Sequence, residues 1–189
     1  AADAADLTSD ADPIHPARIY GDLVPRLADD AVVIGDGGDF VSFAGKYIEP
    51  AAPGNWLDPG PYGCLGTGLG YAMAARVARP DSQVVLLMGD GAAGSSLLDV
   101  GSLGRHDLPV VMVVGNNKSW GLEKHPMKFL YGYDVIADLH PTRYDEVATP
   151  LGRPGETVTP PGDIGPAPPR ASAAAVPHLV NVMPHTETA

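Results

Sequence analysis

Two polar clusters follow apolar runs in this sequence, and their residue types suit a metal ion. Asp90 stands near the end of VVLLMGDG, and Asn116 and Asn117 stand at the end of VVMVVGNN. Both runs are continuous rather than alternating, which is typical of strands buried on both faces of a parallel sheet. Taken alone, Asp90 could also cap a helix or close a turn.

The spacing of the two clusters favours a shared site. Between Gly91 and Asn116 lie 24 residues, enough for one helix and one strand. In a right-handed β-α-β unit the two strand ends lie side by side, so Asp90 and Asn117 would meet above the sheet. A carboxylate, an amide oxygen and a backbone carbonyl suit Mg²⁺, which often shares its coordination shell with phosphate oxygens. Small residues after Asp90 leave room for backbone N–H groups to approach phosphates, so the sequence predicts a Mg²⁺-diphosphate site.

The other patterns predict an α/β fold, with a doubly wound, mostly parallel sheet and helices on both faces. AVVIGDGGDF and HLVNVM add two more buried strands. Three further segments repeat apolar residues at helical spacing. Their expected buried positions are Ile19, Leu23 and Leu27, then Ala72, Ala75 and Val77, and then Leu97, Leu98 and Leu103.

The chain divides by composition into a short lead-in and one domain. Residues 1–13 are small and acidic, which predicts a flexible N-terminal segment. Residues 14–189 form the predicted diphosphate-binding domain. Within it, residues 149–177 are rich in Pro, Gly and Ala. They could form a long connection, a poorly formed helix or a partly ordered arm.

Charge and cysteine content exclude several classes of function. A net charge of −11 argues against nucleic acid and anionic membranes as partners. No apolar run approaches the roughly 20 residues of a membrane span, and the N-terminus has no apolar core of a signal peptide. Cys64 is the only cysteine, so an internal disulfide is impossible, and a cytoplasmic location is expected.

GDG followed by NN after 24 intervening residues resembles the diphosphate-binding signature of thiamine-diphosphate (ThDP) enzymes. The resemblance implies ThDP and Mg²⁺ as cofactors. It implies that the metal ligands are Asp90, the side chain of Asn117 and the main-chain carbonyl of Ser119. GRHDLPVVMVVGNNKSWGLEKHPM has the order of the acetolactate synthase-like and oxalyl-CoA decarboxylase-like branch. The resemblance covers about residues 14–148 and the final strand.

The same resemblance implies further cofactor contacts. GPYGCLGTG is similar to the segment under the thiazolium ring, where Leu65 is the candidate for the apolar wedge, with Cys64 and Thr67 as alternatives. GDGGDF is similar to the first loop on the diphosphate side. The remaining implied cofactor residues are Gly37, Gly38, Asp39, Gly89, Gly91, Ala92, Ala93, Asn117, Ser119, Trp120, Gly121 and Leu122.

The resemblance implies a diphosphate-binding subunit or domain that needs a pyrimidine-binding ThDP domain or subunit. No catalytic residue is expected in this chain, because the Glu that activates the aminopyrimidine comes from that partner. The implied reaction is decarboxylation of a small 2-oxo acid, or the formation or cleavage of a C–C bond. Acetolactate synthase-like carboligation is the leading subtype. A 2-hydroxyacyl-CoA lyase or oxalyl-CoA decarboxylase, acting on an acyl-CoA-type substrate, is the alternative. An oligomer is expected.

A non-catalytic module that retains the fold is a second alternative. A P-loop nucleotide site is not supported, since GxxxxGK[ST] does not occur.

Overall fold

A six-stranded parallel sheet forms the centre of the computed structural model, which describes residues 2–184. Its strands are β1 (Val32–Asp36), β2 (Trp56–Leu57), β3 (Val84–Gly89), β4 (Val111–Gly115), β5 (Gly155–Val158) and β6 (His178–Val182), in the order β2-β1-β3-β4-β6-β5. Every pairing is parallel. The predicted doubly wound α/β fold is confirmed. Ala1 and residues 185–189, the end of the predicted domain, lie outside the described residues.

Helices cover both faces of this sheet. They are α1 (Ala2–Asp6), α2 (Pro16–Leu23), α3 (Asp39–Tyr47), α4 (Gly68–Ala78), α5 (Asp90–Ser96), α6 (Val100–Arg105), α7 (Gly121–Tyr131), α8 (Tyr144–Ala148) and α9 (Ala167–Ala173). Residues of α2, α3 and α9 share one apolar core with Val85 and Leu87. Residues of α4, α5, α6 and α8 share the other core with Leu86 and Met88. Because neighbouring strand residues point to opposite faces, both faces need apolar side chains, which explains the continuous apolar runs.

The sheet order places a crevice at the carboxyl ends of β1 and β3. The chain leaves β1 towards β2 on one side, whereas β3 lies on the other side of β1. Ligands of open α/β sheets bind at such a switch point. The loops after the two strands nearly touch there, since a Cβ added to Gly37 would lie 2.9 Å from the backbone nitrogen of Gly89. Gly37 also has φ +153°, so this position requires glycine.

Two predicted buried positions on helices, Val77 and Leu98, are wrong, whereas Leu27 packs against the core but lies outside its predicted helix. Val77 is 69% exposed because it lies two residues after the buried Ala75, a rotation of about 200° around the helix axis. Leu98 is 77% exposed because residues Leu97–Asp99 form a 3-10 turn that interrupts the predicted helix. Leu27 follows another 3-10 turn, Val24–Arg26, which accommodates Pro25, so the regular helix ends at Leu23.

Two segments have more regular structure than their composition predicts. The acidic N-terminal segment contains α1, and Arg18 of α2 donates hydrogen bonds to the carbonyl of Ser9 at 2.8 Å and to the Asp10 carboxylate at 2.7 Å. The Pro/Gly-rich segment 149–177 contains β5 and α9, and β5 pairs with β6 as the edge strand of the sheet. Of the helices in residues 2–184, none is long and apolar enough to cross a membrane.

Candidate cofactor and metal site

A cavity of about 160 Å³ lies at the carboxyl ends of β1, β3 and β4. The structure brings together in its walls every predicted site residue except Ala93. The lining consists of Gly37, Gly38, Asp39, Phe40, Gly63, Leu65, Gly89, Asp90, Gly91, Ala92, Gly115, Asn117, Ser119, Trp120, Gly121, Leu122 and Glu123.

Asp90 lies at the base of this cavity as the first residue of α5, with 3% of its surface exposed. Its Oδ1 accepts the backbone N–H of Gly91 at 2.9 Å. Its Oδ2 is buried and has no hydrogen-bond partner among the described residues. Burial raises the pKa of Asp90 to about 6, although nearby backbone N–H groups, that of Gly91 first, oppose that shift. A buried carboxylate oxygen without a partner is costly, and a bound cation would remove that cost.

Asn117 lines the same cavity from the loop after β4. The side-chain Oδ1 accepts the backbone N–H of Ser119 at 3.0 Å and its hydroxyl at 3.3 Å. The hydroxyl can rotate away, which would free one lone pair for a metal. Asn116 points elsewhere, since its amide donates to the carbonyl of Thr142 at 2.8 Å and to Asn181 at 3.1 Å. Asn116 therefore fixes the loop.

This donor set fits Mg²⁺ bound to a diphosphate. One carboxylate, one amide oxygen and a backbone carbonyl are oxygen donors, and Mg²⁺ commonly completes its shell with water and phosphate oxygens. Within residues 2–184 no group of three or more His, Cys, Asp or Glu side chains could hold a metal by itself. A metal at Asp90 would therefore depend on neutral oxygens and on the ligand's own phosphates.

Trp120 covers the first turn of α5. A Cβ added to Gly91 would overlap the indole ring of Trp120. Gly91 is therefore required for this packing, whereas the sequence alone suggested that its small size serves the approach of phosphates. The indole consequently forms a wall of the cavity beside Asp90.

Leu65, the predicted wedge residue, lies on the loop before α4 with 38% of its surface exposed. Asp36, at the end of β1, holds this loop. Its carboxylate accepts the backbone N–H groups of Gly66 at 2.9 Å and of Gly68 at 2.7 Å. Asp36 is completely buried, and burial raises its pKa. Asp36 was not among the predicted site residues, although it stands in a second GDG at the end of a second buried strand.

Asp39 is a second acidic residue in the cavity wall, at the first position of α3. Burial raises the pKa of its carboxyl group, and the charge of nearby His125 opposes this. Gly121 packs closely against it, since an added Cβ would lie 2.9 Å from Asp39 Oδ2. The loops after β1 and β4 therefore meet at this residue.

Ala93 lies away from the cavity. It is fully buried in the core shared by α5 and the sheet. Because α5 begins at Asp90 itself, the third residue after Asp90 turns inward. Tyr144 was also missed: from α8, its hydroxyl donates to the backbone carbonyl of Asp90 at 2.8 Å. An isolated tyrosine far along the chain gives no sequence signal for this contact.

Comparisons with known proteins agree with this geometry. Residues 36–182 match the family described as thiamine pyrophosphate enzyme, C-terminal TPP binding domain, where TPP is another name for ThDP. The chain is 54% identical over 180 residues to the acetolactate synthase large subunit of Mycobacterium tuberculosis, covering 95% of this chain and 33% of that protein. It is 40% identical over 145 residues to 2-hydroxyacyl-CoA lyase 2 of Caenorhabditis elegans, covering 77% of this chain and 23% of that protein.

A solved structure has the same fold. The ThDP-dependent 4-hydroxybenzoylformate decarboxylase of Rhodococcus jostii matches with a TM-score of 0.87 at 26% identity, covering 96% of this chain and 34% of that one. The chain thus spans about a third of the length of the acetolactate synthase relative. With its sheet, its cavity and these matches in agreement, the chain belongs to the family of C-terminal TPP-binding domains of thiamine pyrophosphate enzymes.

Proposed function

We propose that this chain is the diphosphate- and Mg²⁺-binding part of an acetolactate synthase-like enzyme. That enzyme decarboxylates a small 2-oxo acid and joins the product to a second carbonyl compound. The observation that carries the proposal is the buried Asp90 Oδ2, which has no partner among residues 2–184 and lies in one cavity with Asn117. The acetolactate synthase subtype is supported by 54% identity over 95% of the chain.

Each part of the cavity has a role in this proposal. Asp90, Asn117 and the Ser119 carbonyl hold Mg²⁺, and Gly37, Gly38 and Gly89 line the space for the diphosphate. Leu65 supports the thiazolium ring, and Trp120 shields the metal side from water. Bound ThDP would supply the electron sink for carbanion chemistry.

A pyrimidine-binding domain or subunit completes the site in this proposal. Exposed apolar side chains line a groove next to the cavity, among them Ile136 at 92%, Val135 at 55% and Leu122 at 51%. A contiguous apolar surface of this kind marks an interface. The partner would cover this surface and supply the Glu that activates the cofactor, within an oligomer. The cytoplasm remains the proposed compartment, since a single cysteine allows no internal disulfide.

The metal site is tested by titrating ThDP into the chain with and without Mg²⁺, using calorimetry. Asp90→Ala and Asn117→Ala should each abolish the Mg²⁺-dependent part of binding. Asp99→Ala, an exposed carboxylate at the start of α6, is the matched control and should bind as the wild type does. Unchanged Mg²⁺-dependent binding in Asp90→Ala would contradict the site.

The reaction is tested by adding a pyrimidine-binding partner chain and comparing substrates. Pyruvate turnover to a carboligation product supports the acetolactate synthase subtype. Cleavage of a 2-hydroxyacyl-CoA alone would favour the lyase alternative, for which the 40% identity to 2-hydroxyacyl-CoA lyase 2 over 77% of the chain is the supporting observation. A chain that binds ThDP and Mg²⁺ but supports neither reaction with any partner would be a non-catalytic module.

A further inference from the structure

A short antiparallel pairing lies across the loop that carries the proposed metal ligands. We call residues 117–120 the metal loop and residues 137–139 the strap. The backbone N–H of Trp120 donates to the carbonyl of Ala137, and the N–H of Leu139 donates to the carbonyl of Lys118, both at 2.8 Å. Ser119 lies opposite Asp138 between these two bonds. Ser119 and Asp138 are therefore a non-hydrogen-bonded pair.

This pairing fixes the direction of the Ser119 carbonyl. In a non-hydrogen-bonded pair, the N–H and C=O of each residue point away from the partner strand. The N–H of Ser119 indeed bonds to Asn117 Oδ1, at 3.0 Å. Since N–H and C=O of an extended residue point to the same side, the Ser119 carbonyl is turned towards the side of the Asn117 amide. A third ligand beside Asn117 needs this orientation.

The backbone just before the strap adopts an unfavourable conformation, so contacts with other segments must hold the strap in place. Ile136, immediately before it, has φ +56°, which a β-branched residue rarely adopts. Such a conformation persists only where surrounding contacts hold it. Ala137, with 2% of its surface exposed, supplies one contact by packing inward.

Lys124 supplies a further contact, from the first turn of α7. Its Nζ lies 2.5 Å from Asp138 Oδ1 in the strap and 3.8 Å from Asp134 Oδ2 just before it. Lys124 is only 8% exposed, and its backbone N–H is anchored to the carbonyl of Trp120 at 2.8 Å. The Lys124 ammonium also holds the pKa of Asp138 below its ordinary value. A nearly buried lysine is retained at low cost only when carboxylates pair with it.

We propose that Lys124 is a positioning residue for the metal site. Through Asp138 it clamps the strap onto the metal loop and so keeps the Ser119 carbonyl directed at the metal. The proposal rests on the proposed function, because it assumes a metal at Asp90 and Asn117.

The test uses Mn²⁺ as a spectroscopic substitute for Mg²⁺, with ThDP present, and measures its affinity by electron paramagnetic resonance. Lys124→Met should weaken Mn²⁺ binding about tenfold, which is the usual effect of losing an outer-shell partner. Hydrogen exchange at the amides of Trp120 and Leu139 should accelerate in the same variant without ligand. Lys124→Arg keeps the charge and should restore both properties.

Arg170→Met is the matched control. It breaks an ion pair of similar length, 2.6 Å to Glu156, on the α9 side of the sheet, and should change neither readout. If Lys124→Met fails to fold, Asp138→Asn tests the same contact from its exposed end, where the side chain is 76% exposed. Wild-type Mn²⁺ affinity in a folded Lys124→Met or Asp138→Asn variant would overturn the proposal. If Asp90→Ala nevertheless loses binding, only the role of Lys124 is wrong and the proposed metal site stands. If Asp90→Ala binds unchanged, the proposed metal site is itself wrong.

Discussion

The carboxylate of Asp36 accepts the backbone N–H of Gly68 at 2.7 Å, which ties the end of β1 to the first turn of α4. The same carboxylate accepts the N–H of Gly66, so two bonds fix the loop that carries Leu65. The wedge under the proposed thiazolium site is therefore positioned by a residue that lies outside the cavity lining.

Replacing Asp36 tests this positioning. Asp36→Asn presents an NH₂ group to one of two N–H groups, of which that of Gly68 is buried and that of Gly66 is partly buried, so it should lower the free energy of unfolding by about 1–3 kcal/mol. ThDP affinity should fall as well, because Leu65 loses its support. Urea unfolding and calorimetric titration measure the two effects.

Asp58 provides the control for that substitution. Its carboxylate also accepts two N–H groups, from the Trp56 indole at 2.6 Å and from Gly60 at 2.7 Å, but it is exposed. Asp58→Asn should therefore change stability by no more than about 0.5 kcal/mol. Equal losses in the two variants would contradict the special role of Asp36.

The packing of Trp120 on Gly91 gives a second prediction. Gly91→Ala would place a methyl group inside the indole ring, so Trp120 or α5 must move. We expect a loss of about 1–3 kcal/mol in unfolding free energy, as for other overpacked sites, together with weaker Mg²⁺-dependent ThDP binding. Gly101→Ala in α6 meets no atom within 4 Å and should stabilise the chain by up to about 1 kcal/mol. Wild-type stability and binding in Gly91→Ala would show that the ring moves without cost.

The pKa of Asp90 predicts how stability depends on pH without metal. Burial raises this pKa from 3.8 to about 6, so between these values the folded chain binds more protons than the unfolded chain. The contribution of Asp90 to stability must then fall as pH rises through this window. Urea unfolding in the presence of a chelator measures this effect. From pH 4 to pH 6, the unfolding free energy of the wild type should fall relative to that of Asp90→Asn.

Mg²⁺ with ThDP should reverse that trend, because the ionised carboxylate binds the metal and ligand binding stabilises the folded state. Affinity should therefore rise with pH through about 6. A pH-independent difference between wild type and Asp90→Asn would contradict the raised pKa.

Tyr144 gives a fourth prediction, because it anchors the backbone of Asp90 from α8. Tyr144→Phe removes the donor to the Asp90 carbonyl and should lower the unfolding free energy by about 1 kcal/mol. Tyr62→Phe, at a side chain 90% exposed, is the control and should be neutral. Thermal or urea unfolding measures both, and equal values for the two variants would contradict the anchoring role.

The sequence predicts the parts of the site that follow from the sheet itself. Asp90 and Asn117 could be placed together because they follow neighbouring parallel strands, and the register pairs Gly89 with Gly115 as this requires. The strands β2 and β5 were missed because β2 has two residues and β5, GETV, is short and polar as edge strands often are.

Contacts between distant segments could not be predicted. Asp36 carries a usable signal, since VVIGDGG repeats the pattern of LLMGDG, but its partners depend on how α4 packs. The contacts of Tyr144 and Lys124 are set by the path of residues 132–144, which has no apolar periodicity to indicate it. Ala93 was misplaced because α5 already begins at Asp90, so residues 91–93 form a helical turn rather than an open glycine-rich loop.

The near contact between Gly37 and Gly89 has a consequence for how this site can change. Where Gly37 and Gly89 meet, the cavity lining is glycine backbone, so it offers no side chain for variation to act on. The walls, in contrast, come from two separate segments, the loop that carries Leu65 and the start of α7 with Trp120 and Leu122. Selection for a new substrate could therefore replace one wall at a time while the anchoring of the diphosphate is inherited unchanged.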